Sequence, residues 1–146
     1  MSGQPLTVSR WDRGRQATGA AWLVATVATA GSLYYQFGLG LVPCQLCWFQ
    51  RIAMYPLVVV LGYATLAGQR DPDRVVLPLS VPGLALAAYH SWLQVAAAGT
   101  CSFAGCHRVQ YRALGLAIPN QSLLAFVLVT GLMAAVWWRR AATAED

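Results

Sequence analysis

The chain has 146 residues, of which 58% are hydrophobic and only 10% are charged, and its net charge is +5. Soluble proteins carry about 25% charged residues, so this composition excludes an ordinary soluble domain and favours one membrane domain, residues 1–146. All ten basic residues are arginines that cluster at the ends of apolar segments. That pattern indicates membrane topology rather than a nucleic-acid surface, and no nucleic-acid partner is expected.

The first apolar segment follows a polar stretch that contains three arginines. Residues 17–37 are long enough for the roughly 20 residues that a helix needs to cross a bilayer. The arginine-rich flank, the apolar core and Ala28-Thr29-Ala30 also fit a secretory signal peptide. Because the apolar run continues to residue 37, we expect a membrane helix that is not cleaved.

Two cysteines in a Cys-x-x-Cys pair, Cys44 and Cys47, precede the second predicted span, residues 48–67. Pro43 suits the first turn of a helix, so the helix is expected to begin near the pair. The N–H groups and the positive dipole at a helix start favour the thiolate, which is the reactive form of cysteine. Arg51 shares a helix face with Cys47 and adds to this effect; it lies near the headgroups, with no obvious protein partner.

A polar, proline-containing turn at 68–74 leads to a third span, residues 75–97, which contains His90. An ionisable group inside an apolar helix is a functional candidate, although a hydrogen-bonded packing histidine is an equally good interpretation. Residues 109–118 are expected to form a short amphipathic helix along the membrane interface. The fourth span, residues 122–138, ends in two tryptophans that are followed by two arginines.

A second cysteine pair, Cys101 and Cys106, lies between the third and fourth spans and is followed by His107 and Arg108. The positive neighbours favour thiolate at Cys106. The short spacing allows a strained, oxidising disulfide, and a static structural disulfide is the alternative. A zinc site built from both cysteine pairs would have the four ligands that zinc prefers, but redox chemistry is favoured and no metal is expected.

The arginines are distributed unequally between the two sides of the predicted membrane helices. Seven lie at the termini and in the 68–74 turn, and three lie in or beside the cysteine-containing loops. By the positive-inside rule, both termini are cytoplasmic and both cysteine pairs face the oxidising side. We therefore predict an all-α membrane protein, a four-transmembrane-helix up-down bundle whose outer loops meet at one end.

The segment Pro43-Cys44-Gln45-Leu46-Cys47-Trp48-Phe49-Gln50-Arg51 resembles the motif of the DsbB family, including its BdbC branch. The resemblance covers nearly the whole chain. It implies a multi-pass protein of the bacterial plasma (inner) membrane that passes electrons from a soluble, DsbA-like thioredoxin-fold partner to a quinone, either ubiquinone or menaquinone.

The resemblance also implies roles for single residues. Cys47 would face the quinone beside Arg51, and His90, within Tyr89-His90-Ser91-Trp92-Leu93-Gln94, would lie near the quinone. Cys44 would exchange with the loop pair, in which Cys101 meets the partner and Cys106 hands the oxidation on. The four-residue spacing of the loop pair is like that of the BdbC branch and leaves open which loop cysteine meets the partner first.

Three alternatives come from other classes of protein. The vitamin K epoxide reductase family also combines a loop pair, a membrane Cys-x-x-Cys and a quinone, but there the loop pair comes first in the chain. A membrane scaffold would use both pairs as structural disulfides. A metal-handling membrane protein would use all four cysteines as ligands.

Overall fold

A computed structural model describes residues 5–96 and 111–144 of the chain, with side chains described from residue 12 onward. Within these ranges the protein is helical apart from one small hairpin. The elements are α1 (Pro5–Leu33), a π-helical turn (Tyr34–Gly38), α2 (Gln45–Ala67), α3 (Asp73–Ala96), β1 (Arg112–Ala113), β2 (Leu116–Ala117) and α4 (Ile118–Ala144).

Each predicted span overlaps a helix in the described part of the chain, although α1 begins at Pro5, well before residue 17, and α4 extends beyond both ends of 122–138. The second span ends at the predicted residue, Ala67, because Gly68 takes a left-handed conformation there (φ 65°) and caps α2. Three helices, α2, α3 and α4, are long and apolar enough to cross a membrane. Helix α1 is not among them, so a four-span bundle with cytoplasmic termini remains a prediction.

The four helices alternate in direction, and side chains join their ends. At one end, Tyr35 after α1 donates its hydroxyl to Gln121 near the start of α4 (2.8 Å). At the other end, Arg140 of α4 contacts Asp73, the first residue of α3 (2.5 Å). The cysteine pair at the start of α2 therefore lies at the same end as the finish of α1 and of α3.

The core between the helices is apolar and closely packed. Leu57 and Leu61 of α2 and Phe126 and Val129 of α4 are fully buried. Gly83 of α3 faces the Phe126 ring so closely that a Cβ atom there would lie 2.2 Å from Cε1. Because that distance is far inside van der Waals contact, glycine is what lets α3 and α4 approach each other here.

The interfacial helix predicted for 109–118 is wrong over the described residues 111–117. Arg112 pairs with Ala117 and Ala113 with Leu116 in an antiparallel hairpin. Leu114 and Gly115 form its turn, both with positive φ (53° and 79°). Two successive residues with positive φ make the tight turn that suits a two-residue hairpin and interrupt any helix. Residues 109 and 110 lie outside the described residues.

Candidate functional site

The Cys-x-x-Cys pair occupies the first turn of α2. Cys44 is the N-cap residue, with extended backbone (φ −73°, ψ 170°), and its carbonyl accepts the Trp48 N–H at 3.1 Å. This confirms that the helix begins at the pair. The two Sγ atoms lie 3.0 Å apart, and both residues are half-buried. The sulfurs are thus close enough for dithiol–disulfide chemistry with little rearrangement of the backbone.

His90 of α3 contacts the cysteine at the helix cap. Its Nε2 lies 3.8 Å from Cys44 Sγ, and its Nδ1 lies 3.0 Å from Nε2 of Gln50. Both His90 and Gln50 are buried, with 2% and 5% of their surface exposed. The histidine is therefore hydrogen-bonded within the core, on the Cys44 side of the pair.

Arg51 is hydrogen-bonded to residues at and just after the end of α1. Its Nε donates to Ser32 Oγ at 2.8 Å, its Nη2 donates to the Ser32 carbonyl at 3.0 Å, and its Nη1 donates to Gln36 Oε1. The guanidinium also lies 5.3 Å from the centre of the Trp48 ring. The expectation of an arginine without a protein partner is wrong, because the uncharged end of α1 supplies oxygen acceptors beside it.

A cavity of about 590 Å³ opens beside Cys47, Gln50 and Arg51. Cys44 and His90 are not among the residues that line it. The other lining side chains are mostly apolar and come from α1, the loop before α2, α2, the hairpin and α4; they include Leu23, Val24, Val27, Ala28, Leu41, Val42, Met54, Leu114, Leu116, Ile118, Leu124 and Leu128. Cys47 and Arg51 thus line the same cavity, whereas His90 contacts Cys44 and does not line the cavity.

The hairpin forms one wall of this cavity and is held by Gln121. The Gln121 amide nitrogen donates to the carbonyls of Ala113 (3.1 Å) and Leu116 (3.0 Å), while its oxygen accepts the Tyr35 hydroxyl. A single glutamine side chain therefore links the hairpin, the start of α4 and the end of α1.

Sequence reasoning missed four polar side chains that organise the site: Ser32, Gln36, Gln50 and Gln121. Each lies in or beside an otherwise apolar membrane segment, where a buried polar group needs a hydrogen-bond partner. Polar residues are rare in such segments, and their presence is the sequence signal that could have identified these four. The signal does not indicate which partner each side chain contacts.

The ligand atoms of Cys44, Cys47 and His90 lie within 4.8 Å of one another, near enough to hold a metal ion. An amide nitrogen only donates, so Gln50 makes Nδ1 of His90 the acceptor and leaves the ring proton on Nε2. In the tautomer that the Gln50 contact favours, Nε2 carries the proton on the ring edge that faces Cys44 Sγ. Cys101 and Cys106 lie outside the described residues. Neither a zinc site built from both cysteine pairs nor an exchange between the pairs can therefore be described.

The profile described as "Disulfide bond formation protein DsbB" matches residues 14–136 of this chain. A "Probable disulfide formation protein" of Deinococcus radiodurans is 37% identical over 140 residues, which cover 86% of this chain and 90% of the relative. The "Disulfide bond formation protein C" of Bacillus subtilis is 37% identical over 117 residues, 75% of this chain and 84% of the relative. No solved structure matches the chain.

Proposed function

Because the chain belongs to the DsbB family of disulfide bond formation proteins, we propose that it is a membrane thiol:quinone oxidoreductase. It reoxidises a soluble, extracytoplasmic, DsbA-like thioredoxin-fold protein and so sustains disulfide formation. Electrons pass from the partner's dithiol to Cys101–Cys106, then to Cys44–Cys47, and then to a membrane quinone, ubiquinone or menaquinone. Each disulfide exchange moves two electrons through a mixed disulfide.

One observation carries the proposal: Cys47 lines a cavity with Arg51, while its sulfur lies 3.0 Å from that of Cys44. A site that couples thiols to a second substrate needs one sulfur at the binding cavity and another that can exchange. The arrangement at the head of α2 meets both needs. It supports a proposal of different tasks for the two cysteines, because Cys47 lines the cavity and Cys44 does not.

The cavity suits a quinone in both size and chemistry. Its volume of about 590 Å³ falls within the roughly 300–1,000 Å³ of small-molecule sites, and most of its lining is apolar. A bound quinone would supply the capacity to take up two electrons and two protons. Arg51 has five N–H groups; among the described residues three of them donate to Ser32 and Gln36, and the other two are available there for a carbonyl oxygen. An arginine donor stabilises negative charge that develops on such an oxygen.

The sidedness of the chain is part of the proposal. Seven of ten arginines lie at the termini and in the 68–74 turn, which favours cytoplasmic termini and cysteine pairs on the outer face of a bacterial plasma membrane. That face is the compartment in which disulfides form and persist. The apolar part of α1 would be the first span in chain order and would complete the set of four, packed against α2 and α4.

Thiol titration of the purified protein, with and without added quinone, tests the function. We expect the reduced protein to lose four free thiols when quinone is added and to regain them when it is given a reduced thioredoxin-fold partner. A membrane scaffold predicts no quinone-dependent change. A metal-handling protein predicts thiols that are masked until acid releases a bound metal.

A further inference from the structure

We propose that Gln50 positions His90 as a hydrogen-bond donor to the sulfur of Cys44, and that this contact stabilises the Cys44 thiolate. The inference rests on the proposed function in one respect, that Cys44 is the cysteine that exchanges with another pair. It assigns His90 to the exchanging cysteine rather than to the quinone, and it gives Gln50 a positioning role.

The direction of the hydrogen bonds follows from the chemistry of the amide group. The Gln50 atom that lies 3.0 Å from His90 Nδ1 is its side-chain nitrogen, which has protons and no lone pair to offer. Nδ1 must therefore accept, and the neutral imidazole carries its proton on Nε2. That proton lies on the ring edge that faces Cys44 Sγ at 3.8 Å, within reach of a hydrogen bond to sulfur.

Burial makes the arrangement stable. His90 and Gln50 are 2% and 5% exposed, so water competes little for either ring nitrogen. A hydrogen bond to a charged acceptor is stronger in such a medium than in water. The donor is also fixed before the thiolate forms, because Gln50 on α2 and His90 on α3 hold each other across the helix interface.

The contact acts on a definite step of the exchange. An incoming thiolate bonds to Cys44 Sγ, the Cys44–Cys47 bond breaks, and Cys47 leaves as a thiolate. The second thiolate of the incoming pair then attacks its neighbour's sulfur, and Cys44 leaves as a thiolate while the incoming pair becomes a disulfide. Two electrons have passed to Cys44 and Cys47. The His90 Nε2–H group stabilises the charge on Cys44 and transfers no proton.

Few titratable groups approach this sulfur in the described part of the chain. Cys47 on α2 and His90 on α3 lie within 4.8 Å of it, and Arg51 is the charged residue one turn after Cys47. Arg51 donates to Ser32 and Gln36 and lines the cavity with Cys47, whereas Cys44 is the cysteine that contacts His90.

Alkylation kinetics test the proposal without quinone or partner. In a background with Cys47, Cys101 and Cys106 changed to Ser, the rate of Cys44 alkylation by iodoacetamide is followed against pH in detergent. We expect His90→Leu to lower the rate at neutral pH about tenfold, as the loss of one hydrogen bond predicts. The rates should converge at alkaline pH, where the thiol ionises in every variant.

Gln50→Met keeps the length of the side chain but cannot donate, so it should lower the rate in the same direction by a smaller factor. In the His90→Leu background it should have no further effect, because a positioning residue acts only through the group that it positions. Gln50→Met carries the test alone if His90→Leu does not fold. Ser91→Ala is the matched control on α3, since its buried hydroxyl has no partner among the described residues.

An unchanged Cys44 rate in Gln50→Met, or equal slowing in a background that retains only Cys47, would overturn the proposal. Additive effects of the two substitutions would do the same. The assay separates this inference from the function on which it rests. A chain that shows the expected alkylation pattern but never oxidises its thiols with quinone would support the hydrogen bond and contradict the proposed function.

Discussion

Arg51 and Ser32 are joined by two hydrogen bonds, from Nε to Oγ at 2.8 Å and from Nη2 to the backbone carbonyl at 3.0 Å. Ser32 lies in the last turn of α1, directly before the π-helical turn. The guanidinium donates to its carbonyl and also lines the cavity beside Cys47. One side chain therefore connects the structure of the helix end with the proposed quinone site.

The first prediction concerns this dual role of Arg51. Arg51→Ala should raise the apparent KM for quinone about ten- to a hundredfold, as the loss of a charged hydrogen bond of about 1.5–3 kcal/mol implies. It should also lower the temperature of unfolding in detergent, because the Ser32 carbonyl and the Gln36 side chain lose their donor. Steady-state kinetics and a thermal melt check the two effects.

Ser32→Ala is the matched control, since it removes one acceptor and leaves the arginine and the carbonyl in place. It should destabilise the protein slightly and change the KM for quinone little. If the Arg51→Ala variant has an unchanged KM for quinone, the arginine serves only to hold α1 against α2.

The second prediction concerns Gln121, which holds the hairpin against the cavity. Gln121→Leu removes both hydrogen bonds to the hairpin carbonyls and the acceptor of the Tyr35 hydroxyl. We expect faster amide exchange at Leu116 and Ala117 and a higher KM for quinone, with kcat less affected. Tyr35→Phe is the control that removes only the third bond and should leave the hairpin amides protected. Equal exchange rates in Gln121→Leu and the unmodified protein would show that other contacts hold the hairpin.

The third prediction concerns the ion pair at the opposite end of the bundle. Arg140 contacts Asp73, which is fully buried, and also Asp71, which is 45% exposed. Removing Arg140 leaves Asp73 as an uncompensated buried charge, so Arg140→Met should cost about 3 kcal/mol of unfolding free energy, while Asp71→Asn, which keeps the buried pair, should cost about 0.5 kcal/mol or less. Thermal unfolding of both variants in detergent checks the difference. Neither should alter the KM for quinone; a change there would mean that the two ends are coupled.

Local signals in the sequence predicted where α2 begins and ends, but not the limits of α1 and α4. Gly68 and the polar turn that follows end α2 at the expected residue, and Pro43 places the helix start at Cys44. These features act over a few neighbouring residues, so a single sequence carries them. The hairpin escaped prediction because its turn requires positive φ at Leu114, a conformation that leucine rarely adopts and that composition does not reveal.

The partners of the site residues could not be predicted for a different reason. The motif indicated Cys47 and Arg51, but Gln50 and His90 are 40 positions apart, and Arg51 and Ser32 are 19 apart. Which polar groups meet depends on how the helices rotate against one another, and that is set by packing of the whole core. The apolar pattern locates a membrane helix and does not fix its rotation.

The fourth prediction concerns sidedness, for which the distribution of arginines is the basis. Membrane-impermeant thiol reagents applied to reduced, intact cells should label cysteines of both pairs, because both are expected on the outer face. Variants that retain only Cys44 and Cys47, or only Cys101 and Cys106, separate the two signals. If the cysteines are labelled only after the membrane has been broken, the predicted orientation is wrong, and the proposed oxidative role is contradicted with it.

The central claim is the division of labour between the two cysteine pairs, and a half-reaction assay on two double variants tests it most directly. With Cys101 and Cys106 changed to Ser, partner oxidation should stop, yet chemically reduced Cys44–Cys47 should still be reoxidised by added quinone. With Cys44 and Cys47 changed instead, the loop disulfide should oxidise about one equivalent of partner and then stall, because exchange needs a sulfur within reach at every stage. Continuous turnover by either double variant would contradict the relay.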